Sequence, residues 1–182
     1  WQTDFTYLKV TGWGWYYLST VMDDYSRYIV AWRLCTGMSA ADVSATLKDA
    51  LKNARLQRKQ RPKLLSDNGP CYISSELKAW LDDHGMDHTR GKPYHPMTQG
   101  KIERWHRSLK NSILLEIYYL PEDLERQIET FVNHDNTRRY PESLNNLTPE
   151  DVWLGRGQTI LERRRKIKEK TMTLRKQLHQ QA

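Results

Sequence analysis

Polar and apolar positions along the 182-residue chain change period several times, and each change marks an element. Residues 2–9 are rich in Thr and aromatic side chains and read as a strand, followed by a turn at Gly12 and Gly14. Trp15 to Met22 and Arg27 to Leu34 are continuous apolar and aromatic runs. The Asp23-Asp24-Tyr25-Ser26 turn between them predicts a hairpin, so the first three strands form an antiparallel meander. Ser39 with Asp42 is a capping box, after which Val43, Leu47, Ala50, Leu51 and Ala54 recur at helical spacing. Lys63 to Ser66 is a short buried strand leading into Asp67-Asn68-Gly69. Ser74 and Ser75 cap a helix carrying Leu77, Trp80, Leu81 and His84, which Gly85 closes. Met86 to Arg90 is a last strand, and Gly91 to Thr98 reads as a mobile loop. Ile102, Trp105, Leu109 and Ile113 define a helix from Gln99 to about Ile117; Leu124, Ile128, Phe131 and Val132 define another from Pro121 to about Asn136. Thr148-Pro149-Glu150-Asp151 starts a short helix. The order predicts a mixed α/β layer of about five strands with helices on both faces.

Charge sharpens this outline. The chain carries 29 Lys and Arg against 22 Asp and Glu, a net charge of +7. Residues 155–182 hold nine bases and two acids, so residues 1–154 balance and the whole excess sits in a tail built around Arg163-Arg164-Arg165-Lys166. The division predicts a core over 1–154 and a basic, helical tail over 155–182. A cationic helix suits nucleic-acid phosphates, although a solvated terminus has the same composition. Two further basic clusters lie at Lys52–Lys63 and at Arg90–Lys110, the second around a single carboxylate, Glu103. No apolar run is long enough to span a bilayer and no signal peptide opens the chain. Two cysteines, Cys35 and Cys71, make neither a disulfide framework nor a four-Cys zinc site, so a cytoplasmic, reducing setting is expected. The start at Trp1 reads as the edge of a piece of a longer protein.

Three acids stand out by position. Asp4 lies in the first strand, Asp67 ends the fourth, and Glu103 lies in the first turns of a helix. In an open α/β sheet, strand ends and neighbouring helix starts converge on one crevice. Carboxylates gathered there repel unless a hard cation neutralises them, and Mg²⁺ or Mn²⁺ prefers such oxygen ligands. Two ions about 4 Å apart can activate the attacking oxygen and stabilise the leaving one. With 12 Asp and 10 Glu in the chain, any one Asp-to-Glu spacing is expected almost once by chance, so spacing alone decides nothing.

The words around the acids decide. Trp1-Gln2-Thr3-Asp4-Phe5-Thr6, Ser66-Asp67-Asn68-Gly69 and the stretch HPMTQGKIERWHRSLK from His95 to Lys110 resemble the integrase catalytic core of retroviral integrases and insertion-sequence transposases. So do the turn Asp23–Arg27 and the segment Arg139-Tyr140-Pro141-Glu142-Ser143-Leu144-Asn145. The 35 residues between Asp67 and Glu103 match the family's Asp-Asp-35-Glu interval. The wording is nearest that of bacterial insertion-sequence enzymes, which implies a nucleoid-associated protein. The resemblance implies an RNase H-like fold with Asp4, Asp67 and Glu103 as catalytic metal ligands, for two ions of Mg²⁺ or Mn²⁺. It implies DNA strand cleavage at the ends of a mobile element, followed by attack of the freed 3′-hydroxyl on target DNA. It also implies a dimer or higher oligomer, and helix-turn-helix modules in a preceding region.

Other residues join the site by position. Gln99, Glu103, Arg107 and Lys110 fall on one helical stripe, so an amide, a ligand and two cations face the same way. Arg107 and Lys110, with Lys101 and Arg104, are expected on DNA phosphates. The resemblance places Tyr94 and Gln99 near the DNA end. Asn68 and Ser66 are expected to hydrogen-bond Asp67, and His106 to support the ligands from behind. His84 and His88 are split by Gly85 and share no face; Trp15, Tyr16 and Tyr17 read as core. A structure-specific nuclease and a non-catalytic DNA-binding or oligomerisation module are the alternatives; the second is expected to lack one acid, and none is missing.

Overall fold

The computed structural model describes residues 1–56, 60–91 and 99–180. Five strands form one sheet in the order β3-β2-β1-β4-β5. β1 (Gln2–Val10), β2 (Gly14–Met22) and β3 (Ile29–Cys35) are the antiparallel meander, whereas β4 (Leu64–Ser66) and β5 (His88–Arg90) run parallel to β1. Gly12 and Gly14, both at positive φ, make the first turn, which side chains with a Cβ adopt poorly. In the second turn the Asp23 carboxylate accepts from Ser26 N–H and Oγ, each at 2.7 Å. Arg27 then takes a left-handed conformation, so β3 starts at Ile29 and not at Arg27.

Helices cover both faces. α1 (Ala40–Ala54) has the expected Ser39–Asp42 capping box, and α2 (Pro70–Ile73) leads into α3 (Ser75–His84), capped by Ser74 and closed by Gly85. These pack Val43, Leu47, Leu77 and Leu81 against Val21, Val30 and Leu64. On the opposite face α4 (Gly100–Ile113) and α5 (Pro121–Arg138) pack Ile102, Trp105, Leu109, Leu124 and Ile128 against Leu8, Val10, Leu18 and Met22. The strand alternation thus divides one sheet between two apolar layers. α5 is locked by Asn136, whose amide donates to Ile29 O at 3.1 Å and accepts from Ile29 N–H at 2.9 Å. α4 ends four residues before the expected Ile117: Tyr118 Oη donates to the Ile113 carbonyl, and Thr11 N–H donates to Tyr118 O, which turns the chain along the hairpin tip.

A short 3-10 helix (Glu142–Leu144) and α6 (Pro149–Trp153), with a Thr148–Asp151 capping box, precede α7 (Gly157–Gln180). The expected basic helical tail is therefore present. Gly157 is seated so closely that an added Cβ would lie 2.9 Å from Leu147 Cδ1. Arg164 donates to Asn146 O at 2.9 Å, but no residue of α7 is buried.

Trp15, expected in the core, is 54% exposed, and Tyr16 and Tyr17 are only half-buried. Near the tip of the β1–β2 hairpin Tyr7, like Trp15, is exposed, whereas Leu8 and Val10 are buried against α4 and α5. Among the described residues no helix is long and apolar enough to cross a membrane.

Candidate active site

The site is built where β1 and β4 meet. Gln2 pairs with Leu65 in parallel register, so Asp4 follows on β1 two residues after the pair and Asp67 follows the end of β4 two residues after it. Their shared neighbourhood is visible electrostatically. Burial pushes the Tyr72 phenol well above its ordinary pKa, with the Asp4 and Asp67 carboxylates adding to the shift. The Cys71 thiol is raised by burial and by the same two acids. Both groups stay neutral, and no nucleophile is formed by either.

Each acid is held by the backbone. Asp4 Oδ1 accepts from Phe5 N–H at 2.8 Å, and Asp67 Oδ1 accepts from Gly69 N–H at 2.8 Å. A Cβ on Gly69 would lie 3.0 Å from that Asp67 oxygen, so glycine lets the turn close against the carboxylate. Gly69 thus makes the contact expected of Asn68, whose amide instead donates to Gly91 O at 2.8 Å and ties the two strand ends together. Ser66 Oγ donates to the Asp67 carbonyl at 2.9 Å and lies 2.8 Å from His88 Nε2. Burial, then Arg90, lowers the His88 pKa, which keeps the imidazole neutral in this contact.

α4 is pinned to this junction by amides. Gln99 Nε2 donates to Thr3 O at 3.2 Å and reaches Leu65 O at 3.5 Å, touching both strands. Gln2, buried beneath Asp4, accepts from Ile102 N–H at 3.1 Å and donates to Asp24 Oδ1 at 2.7 Å. Sequence reasoning missed Gln2; its only signal was its place two residues before Asp4, on the same strand face. His106, buried, sets Nδ1 3.4 Å from Asp4 Oδ2 and Nε2 3.2 Å from Thr20 Oγ1.

Glu103 lies four residues after Gln99 and three before His106, on the stripe facing Asp4. Its N–H donates to Gln99 O at 3.1 Å, while its carboxylate is exposed and unpaired among the described residues. Among those residues no group of three or more His, Cys, Asp or Glu lies close enough to hold a metal ion. Asp4 and Asp67 thus share the neighbourhood of Cys71 and Tyr72, and among the described residues the three acids do not close into one ligand set. The donors are all hard carboxylate oxygens, as Mg²⁺ or Mn²⁺ requires, and the Asp67 oxygen not bonded to Gly69 remains for a ligand.

The expected DNA contacts divide between two sides of α4. Lys110 Nζ lies 4.0 Å over the Tyr7 ring, on the site's side. Burial lowers its pKa while the Asp4 carboxylate pulls the other way. Arg107 is exposed on the same stripe. Lys101 instead pairs with Asp24 at 2.7 Å, and Arg104 lines a 270 Å³ cleft with Arg27 and Arg139 on the far side. Tyr94 and the expected mobile loop 91–98 lie, but for Gly91, outside the described residues.

A mixed sheet with two carboxylates at adjacent parallel strands and a third on the flanking helix defines an RNase H-like α/β domain with its polar site at a strand junction. The chain belongs to the integrase core domain family: one model of that domain matches residues 1–96 and a second matches residues 84–149. It is 35% identical over 113 residues to the Gag-Pro-Pol polyprotein of simian retrovirus SRV-2, covering 62% of this chain and 6% of that one. It is 28% identical over 140 residues to the Gag-Pro-Pol polyprotein of mouse mammary tumor virus, covering 75% and 8%. The chain thus spans less than a tenth of these polyproteins. Its fold matches the catalytic core domain of BIV integrase with a TM-score of 0.62 at 22% identity, covering 88% of this chain and 97% of that one. It matches the HTLV-2 integrase catalytic core, determined with magnesium, with a TM-score of 0.64 at 19% identity, covering 83% and 93%. A simian T-cell lymphotropic virus intasome in complex with PP2A regulatory subunit B56 gamma matches with a TM-score of 0.71 at 20% identity, covering 84% and 53%.

Proposed function

We propose that residues 1–154 cut a DNA strand at the end of a mobile element and join it to target DNA, and that residues 155–182 add a basic helix for phosphate binding. The observation that supports this reading is the parallel pairing of Gln2 with Leu65 just ahead of Asp4 and Asp67, with α4 tied to the same two strands through Gln99. Asp4, Asp67 and Glu103 would hold Mg²⁺ or Mn²⁺, which when bound supplies Lewis-acid stabilisation of charge on the phosphodiester oxygens. The protein's own work is positioning. Phe5 N–H and Gly69 N–H fix one oxygen of each aspartate, and His106 holds the other Asp4 oxygen from behind. Lys110 and Arg107 place the backbone phosphates along the stripe that bears Glu103. Both steps are in-line displacements at phosphorus and need no covalent intermediate on the enzyme, in keeping with neutral Cys71 and Tyr72.

DNA is the partner, and function in a dimer or larger assembly is supported by the trimeric and dimeric forms of the HTLV-2 core and by the intasome among its structural neighbours. A gel assay with a labelled element end, Mg²⁺ and unlabelled target DNA tests the reading. Joined products are expected. Nicks without joining would make the chain a nuclease, and retarded bands without any cut would make it a binding module.

A further inference from the structure

Phe5, Tyr7 and Lys9 share one face of β1 and stand opposite Ser19, Tyr17 and Trp15 of β2. Phe5 is covered by Tyr72, at a centroid separation of 6.2 Å. Tyr7 and Trp15 beyond it are 57% and 54% exposed and meet edge to face at 5.4 Å, with an interplanar angle of 80°. Lys110 caps the Tyr7 ring from α4 and lies within electrostatic reach of Asp4. Lys9 stands across from Trp15. Large exposed rings on an open strand face mark an interaction surface. Their company identifies the occupant: lysines are depleted in protein–protein interfaces, whereas cations interleaved with aromatic rings match single-stranded nucleic acid, whose phosphates take the charge while its bases stack.

We propose that Tyr7 and Trp15, with Lys110 and Lys9, form a stacking platform for unpaired DNA bases next to the candidate active site. Tyr7 is three residues from Asp4, so the two side chains leave β1 on opposite faces, and Lys110, over the Tyr7 ring and within electrostatic reach of Asp4, links them around the strand. The inference rests on the DNA-processing reading above and extends it: the strand bearing the reacting phosphodiester is splayed from its complement, and its loosened bases lie on the hairpin.

Fluorescence anisotropy with the full chain, a labelled single strand and the matching duplex tests this at one salt concentration. Trp15→Ala is expected to weaken single-strand binding about tenfold and duplex binding less than about twofold, with Trp15→Phe restoring most of the loss. Thermal melting by circular dichroism checks that the exposed substitution leaves the fold intact. Unchanged single-strand affinity, or an equal loss on both probes, would overturn the platform. So would a Trp15→Ala change in sedimentation with no change in DNA affinity, which would make the face a protein interface. The cleavage assay is independent: cutting by the wild type with no Trp15 effect removes only the platform, and a Trp15-dependent single-strand preference without cutting removes only the enzymatic reading.

Discussion

α4 and α7 are both basic helices, and they behave differently because of what each is fastened to. α4 buries Ile102, Trp105, His106, Leu109 and Ile113, and Gln99 at its start bonds the backbone of Thr3. Its polar side chains therefore have fixed addresses: His106 beside Asp4, Lys110 on Tyr7, Lys101 on Asp24. α7 is longer, about 36 Å at 1.5 Å per residue, buries none of its residues, and among the described residues is held near its start, through Gly157 and Arg164. Ile167, Leu174 and Leu178 on it are exposed. The contrast teaches that cationic composition supplies attraction for phosphate, while burial of the opposite face supplies the positional accuracy that chemistry needs.

The difference in burial is the easiest part to break. Leu109→Ala on α4 should cost about 2–5 kcal/mol of unfolding free energy, whereas Leu174→Ala on α7 should stay within about 0.5 kcal/mol. Urea titrations of both variants make the comparison, and equal losses would mean that α7 packs as α4 does. A smaller, purely electrostatic effect separates the helices next. Ending the chain after Leu161 should leave the melting temperature unchanged and flatten the salt dependence of DNA binding, lowering the slope of log K against log salt by on the order of three. An unchanged slope would free the tail from any phosphate contact.

Much of the fold was legible because its signals are local. The meander, the capping boxes at Ser39 and Thr148, the Gly85 closure and the apolar stripe of α4 each follow from residues within a turn or two of one another. The end of α4 was not legible, because it is set by Tyr118 bonding the Ile113 carbonyl after the chain has turned back. Trp15 misled for a related reason: an aromatic strand residue looks like core until the extent of the helical layer is known. At the site, the identities of Asp4, Asp67 and Glu103 came from the motif words around them. What fastens α4 to β1 came from long-range pairing, such as Gln2 with Ile102 and Gln99 with Thr3, which no spacing encodes. Lys101 and Arg107 look equivalent by composition, and only the path of α4 over the sheet separates them.

The central claim is that Asp4, Asp67 and Glu103 act as a single unit. The most direct measurement is the strand-transfer rate of Asp4→Asn, Asp67→Asn, Glu103→Gln and the triple variant under single-turnover conditions with Mg²⁺. Residues serving one centre lose function together, so each single variant should fall at least about a thousandfold, to the same floor as the triple. A Glu103→Gln enzyme that still joins strands near the wild-type rate, or single losses that multiply to give the triple, would contradict the claim.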